Sequence, residues 1–492
     1  MRRIAWVLAA VAILTITPSV QAQTTGSSVS YSIQDRGAVT FETLGSSSTL
    51  TTGYSKVQAS LGSTTPSGIA IFGARANGML VSEAGVPGLS AMLSGRTYAE
   101  VNGAINTGIA IANPNNFTVT VNFSITNSLG TTIRESGFII EANNQMAAFL
   151  NENPFLASTA FSGTFTFEAS GPVGIIALRS FVNQNGDFLM TTQTVSSLAT
   201  PVGAVVLAHF ADGGGWKTRV LLVNPSDSVI TGSVQFFGEG SGTVAAAPLT
   251  LTVNGQVGAT FTYTIPARAS FSLETAGAAS TTQGGSVRIT PAGASTSPSA
   301  FAEFQLTTGG VTVTQASVQA QAPAAAFRMY VENSGTAGQA SSIQSGVAIT
   351  NTSTTTATVN LELMEMTGAS TGLTAIVSVP GQGHVSKFLS EIFPAVSASF
   401  RGVLRITSGA TPLAVVALRT RYNETGRFLI TTAPVSNEAS AATTADLIFP
   451  HIADGGGYTT QFVLFSGIAG QVSNGTVRFL SRTGQELNLT VR

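Results

Sequence analysis

Stretches such as TVTVNFSI at 118–125 and TATVNLEL at 356–363 alternate apolar and polar residues, and turns of Gly, Asn or Pro bound them. A period of two places the apolar side chains on one face of a half-buried strand, whereas a helix needs them three and four apart. Helical periods are almost absent from the chain. The pattern therefore predicts an all-β protein.

The alternation is itself repeated. GIAIANPNNFTVTVNFSITNSLG (108–130) returns as GVAITNTSTTTATVNLELMEMTG (346–368), and GIIALRSFVNQNGDFLMTTQTVS (174–196) as AVVALRTRYNETGRFLITTAPVS (414–436). Within this duplication lies a weaker repeat of about half its length. Each copy carries a Glu (Glu42, Glu152, Glu274, Glu391), then a Gly that opens a strand (Gly53, Gly163, Gly285, Gly402). Each ends in a hairpin dipeptide: Asn77-Gly78, Asn185-Gly186, Gly309-Gly310 or Thr425-Gly426. Such dipeptides tolerate the positive φ of a tight turn.

One copy is divided between the ends of the chain. YSIQDRGAVTFETLG (31–45) matches YTIPARASFSLETAG (263–277), and the terminal GQELNLTVR (484–492) matches AAPLTLTVN (246–254). Ala/Ser/Thr/Pro-rich stretches near 196–204, 317–326 and 436–445 read as linkers. They delimit modules at 93–200, 204–320 and 325–440, with 23–92 as the second half and 445–492 as the first half of a split module. The split module is completed either within one chain, closing a ring, or by the next chain, building a self-assembling polymer. In an alternative frame, shifted by half a module, the chain holds four whole units. Modules of about 115 residues with seven or eight short strands fit tandem immunoglobulin-like or fibronectin-like β-sandwiches. A β-propeller built from half-modules is the runner-up.

Composition narrows the function. Residues 1–22 read as a signal peptide: Arg2 and Arg3, an apolar run from Ile4 to Ile16, and the small residues around Ala22. The expectation is a secreted or cell-surface protein with no transmembrane segment after cleavage. With no cysteine, each module must be stable without disulfides. Only 9% of residues are charged and the net charge is −1, which argues against a nucleic-acid partner.

The runs 383–436 and FADGGGWKTRVLLVNPSD (210–227) resemble tandem repeats of secreted bacterial proteins of unassigned function. The resemblance covers most of the chain after residue 22. It implies extracellular immunoglobulin-like repeats and brings no active site with it.

Candidate chemistry is sparse. HFADGGGWKT (209–218) and its copy HIADGGGYTT (451–460) offer His209, Asp212 and Trp216, with His451, Asp454 and Tyr458, as ligand-contact loops. A P-loop needs Gly directly before Lys, and here Trp216 intervenes. One His and one Asp fall short of a zinc site, so the main expectation is a glycine-rich turn whose Asp bonds backbone amides. Trp216 and Tyr458 are also placed to stack on sugar rings. The recurrent Glu residues are paired in sequence with Arg residues as structural ion pairs: Glu42 with Arg36, Glu152 with Arg179, Glu274 with Arg268, Glu391 with Arg419. His384 lacks a His in its first-copy counterpart, and no Cys exists to serve as nucleophile. The reading is a non-catalytic structural or adhesive protein without cofactor or metal, partnered by itself or by a surface glycan or protein. The alternative is a carbohydrate-binding accessory protein.

Overall fold

A computed structural model describes residues 23–157, 160–193, 195–199 and 203–492; the expected signal peptide lies outside them. The described chain is built almost wholly of antiparallel strands, with one short helix, Leu389–Ile392.

The module at 204–320 shows the plan. One four-stranded sheet runs in the order Val205–Asp212, Gln283–Pro291, Ile230–Phe237, Phe261–Ile265. The other runs Ser270–Glu274, Trp216–Val223, Ser299–Thr308, Val311–Gln319. Apolar residues that alternate along both sheets, among them Phe210, Val220, Phe236 and Val287, meet between them as the core. The same strand order recurs in the modules at 93–200 and 325–440, where the two sheets are joined into one folded sheet of seven and nine strands respectively. In 93–200 the joint is the long strand Ala160–Val182, whose register breaks between Glu168 and Val173 as it passes from one sheet to the other.

The split module closes within one chain. Its first sheet takes Ser28–Ile33 and Thr51–Ala59 from the front of the chain and Ser473–Ser481 and Leu447–Asp454 from the back. The second takes Ala38–Glu42, Ser67–Ala76 and Met79–Pro87 from the front and Tyr458–Phe465 from the back. Thr24 pairs with Val491, and Glu42 and Arg492 exchange backbone hydrogen bonds. This closure corrects the half-shifted frame. It also removes the propeller, because each half-module supplies strands to both sheets and neither half makes a blade alone.

The recurrent strand-opening glycines have a shared cause. A Cβ on Gly53, Gly163, Gly285 or Gly402 would collide with a backbone carbonyl of the neighbouring strand, those of Leu480, Thr126, Phe237 and Met364 respectively. Glycine alone lets the two backbones approach so closely.

The four modules form a ring. Apolar clusters seal each junction: Phe72, Val86, Ala110 and Ile176 between the split module and 93–200, and Tyr98, Leu221, Val223 and Phe301 between 93–200 and 204–320. Ala414, Val416 and Ile430 join the core of 204–320 to 325–440, and Tyr330, Met364, Ile69 and Phe465 close the circle. The closing hairpin strand of each module, Met79–Pro87, Phe188–Gln193, Val311–Gln319 or Phe428–Ala433, faces the centre and touches two of the other three. Side-chain hydroxyls link these strands, as in Met190 N–H to Ser82 Oγ (2.9 Å) and Ile430 N–H to Thr314 Oγ1 (3.0 Å).

Candidate functional site

The glycine-rich motif lies where the chain crosses from one sheet of a module to the other. Gly213, Gly214 and Gly215 all have positive φ (84°, 60° and 91°), and Gly455, Gly456 and Gly457 repeat this (78°, 59° and 91°). Side chains are disfavoured in that region, and a Cβ on Gly213 would also meet the Thr281 carbonyl. Asp212 Oδ1 accepts the Gly277 N–H at 2.8 Å, and Asp454 Oδ1 accepts that of Gly45 at 2.9 Å. Both aspartates therefore serve the turn, as the sequence led us to expect. Lys217 pairs with Glu274 (3.3 Å) instead of pointing to a phosphate cradle.

The His and the aromatic residue of each motif point elsewhere. His209 and Trp216 line a cavity of about 310 Å³ against the 325–440 module. His451 and Tyr458 line one of about 320 Å³ against the 93–200 module. The two cavities are built alike. Each has an aromatic wall, Trp216 with Phe388 and Phe428 in one and Tyr458 with Phe149 and Phe188 in the other. Each has one of the recurrent carboxylates at its edge, Glu391 or Glu152. That carboxylate accepts a backbone N–H three residues back, from Phe388 (2.7 Å) or Phe149 (2.9 Å), through Oε2.

The imidazoles are held from across the junction. His209 Nδ1 lies 3.1 Å from His384 Nε2; with ring planes 22° apart and centroids 5.2 Å apart, the rings meet edge to edge in an N–H···N bond. His451 Nδ1 lies 3.1 Å from Gln145 Nε2. Gln145 and His384 open equivalent strands, Gln145–Phe149 and His384–Phe388. A phenylalanine packs against each imidazole, Phe304 on His209 and Phe72 on His451. Burial pulls His209 and His451 down to about 4 and His384 well below its ordinary value, where neighbouring His209 adds to the effect. All three are neutral at pH 7.

The ion pairs expected from sequence are replaced by others. Arg179 pairs with Glu303 (3.7 Å) and hydrogen-bonds Gln315, both in the next module, and Arg419 binds Glu83 (2.6 Å) and Glu332 (3.5 Å). Glu42 takes Arg492 (3.0 Å), Glu274 takes Lys217, Arg36 lies by Asp35 (3.6 Å) and Arg268 by Asp227 (2.6 Å). Glu152 and Glu391 make the backbone bonds described above. Arg179 and Arg419 miss their expected partners because they are buried and project into the junctions, where the neighbouring module supplies Glu303 or Glu83, whereas Arg36 and Arg268 are exposed and take a nearer aspartate of their own module.

A pair of carboxylates does approach one cation. Glu100 and Glu303 both bind Arg219, at 3.0 and 2.6 Å. Burial works against the charge of Glu303, but Arg219 and Arg179 hold it below the ordinary carboxylate range. That is the behaviour of an ion pair, whereas a general acid needs a raised pKa. A cavity of about 400 Å³ is lined by residues of all four modules with no charged or aromatic side chain. Among the described residues, no group of three or more His, Asp or Glu is arranged to hold a metal, and no helix is long and apolar enough to cross a membrane.

No family model matches the chain, and no curated protein matches it. Among solved structures, it is similar to Thermotoga maritima 1070 at 13% identity over 21% of this chain and 91% of that one, with a TM-score of 0.18. It is similar to the VP2 subviral particle of infectious bursal disease virus at 9% over 82% and 81%, with a TM-score of 0.11. SGBP-B of the Bacteroides ovatus mixed-linkage glucan utilization locus, solved with a mixed-linkage heptasaccharide, aligns at 9% over 67% and 92%, with a TM-score of 0.12. At such TM-scores none of the three carries an argument about this chain.

Proposed function

We propose that this is a secreted, non-catalytic β-sandwich repeat protein with a structural or adhesive role outside the cell or on its surface. The observation that carries the reading is the closed ring. Four sandwiches joined by apolar and ion-paired junctions make a rigid scaffold, and the buried charged groups of those junctions are consumed in holding it together. The basic leader and the resemblance to secreted bacterial repeats support the extracellular placement. Light scattering across concentration, with binding to immobilised cell-surface material, tests it. A compact monomer that binds such material and turns over no substrate agrees with the proposal. Absence of binding to any such material, or a catalytic activity lost on a single substitution, refutes it.

A second reading, a carbohydrate-binding accessory protein, is favoured by one observation. Trp216 and Tyr458 line equivalent cavities of a size at the lower end of the range for small-molecule pockets, about 300–1,000 Å³.

A further inference from the structure

We propose that each of the two cavities beside the glycine-rich turns binds one neutral sugar residue, to which an inward-facing imidazole, fixed as its Nε2–H tautomer by the neighbouring module, donates a hydrogen bond. The inference rests on the carbohydrate reading and goes further, assigning a ligand chemistry, a donor and a stoichiometry of two.

The tautomer follows from the partners. Gln145 Nε2 faces the carbonyls of Pro450 (2.7 Å) and Gly53 (3.0 Å), which fixes the orientation of its amide. The two amide hydrogens are shared among three acceptors, and since an amide nitrogen accepts nothing, His451 Nδ1 presents its lone pair to it and the ring proton sits on Nε2. In the other cavity His384 occupies the place of Gln145. Its own Nδ1 is buried with no partner, and an orphaned lone pair is tolerated there more easily than an orphaned N–H. His384 therefore donates from Nε2 to His209 Nδ1, leaving an N–H on His209 Nε2. In both cavities Nε2 is the ring nitrogen available to a ligand.

The remaining groups select the ligand. Arg482 and Glu152 border one cavity and Lys387, Glu239 and Glu391 the other, so each carries both signs of charge; a neutral ligand leaves no unpaired charge against the aromatic walls. Glu152 and Glu391 use Oε2 on the backbone and keep Oε1 to accept from a hydroxyl. Trp216 and Tyr458 provide the flat apolar surface on which a pyranose ring stacks. Donor, acceptor and aromatic face together match a polyhydroxylated ring.

The test uses residues 23–492 and two readouts. Two-bond ¹H–¹⁵N imidazole spectra at pH 7.5 should show His209 and His451 as neutral Nε2–H tautomers. Titration with a panel of neutral hexose and N-acetylhexosamine oligosaccharides should give two sites, one weakened by Trp216→Ala and the other by Tyr458→Ala. His451→Phe should weaken its site about tenfold, and His209→Phe should do the same at the other. An Nδ1–H tautomer at His209 or His451 overturns the inference. So does glycan binding that ignores all these substitutions, although the carbohydrate reading then survives. If no neutral glycan binds, or only aromatic peptides do, both fall.

Discussion

Acidification should loosen the ring at its histidines. His209 and His451 have pKa values of about 4 in the folded protein against an ordinary value of 6.5, so the folded state binds fewer protons than the unfolded chain. Stability from this source is complete above about pH 6.5, falls as pH drops towards 4, and levels off below that. At pH 4.5 an unfolded imidazole is almost fully protonated and a folded one mostly is not, a difference of about 2.5 kcal/mol for each histidine. Two such groups approach about 5 kcal/mol, comparable with the whole stability of many domains. This is an upper limit, because each ring borders a cavity that water can enter. Glu303 is held below its usual range and Glu424 lies at about 2, so their losses come at lower pH and leave the window from 6.5 to 4.5 to the histidines. Trp216, the only tryptophan in residues 23–492, lies at the cavity containing His209 and reports on that junction. Urea unfolding followed by its fluorescence should show a midpoint well below the pH 7.5 value at pH 4.5. The drop should shrink in the triple variant His209→Gln, His384→Gln, His451→Gln. An unchanged midpoint in the wild type, or the full drop in the triple variant, would refute the reasoning.

Three further outcomes follow from particular contacts. Arg419→Met strands Glu83 and Glu332 at the junction that closes the ring; because Arg421 and Arg401 still reach them at 3.0 and 3.1 Å, the cost should fall near the low end for a broken buried pair, about 3 kcal/mol in a denaturant titration. Gly285→Ala forces a Cβ against the Phe237 carbonyl and the Phe210 ring, and should lower stability by about 1–3 kcal/mol, with a matching fall in melting temperature. Asp212→Ala leaves the Gly277 amide without its acceptor and should cost about 1 kcal/mol by the same titration, while leaving the oligomeric state unchanged in light scattering.

Much of the architecture was legible because it is written locally. Alternation at 118–125 marks the strand Val119–Asn127, and the match of 31–45 to 263–277 identifies the divided module. Asp212 and Asp454 were legible as turn residues from the Asp-Gly-Gly-Gly motif itself, whereas their amide partners, Gly277 and Gly45, are brought to them only by the fold. Gln145 and the aromatic partners Phe149 and Phe388 were missed as site residues. A signal existed in the repeat, since Gln145 and His384 occupy one position, but nothing in the sequence says that this position faces His451 in one junction and His209 in the other.

What the sequence determined alone was the strand period, the turns, the fourfold repeat and the complementarity of the two ends, since these depend on neighbours along the chain and on matching copies. The tertiary structure decided which surfaces of the modules face one another. Arg179 finds Glu303 and not Glu152, and His209 finds His384 across a separation of 175 residues, because burial at a junction places a charge or a polar nitrogen beside whatever the next module presents. A desolvated group must be satisfied by its spatial neighbours, and in a ring those neighbours are set by how the modules pack.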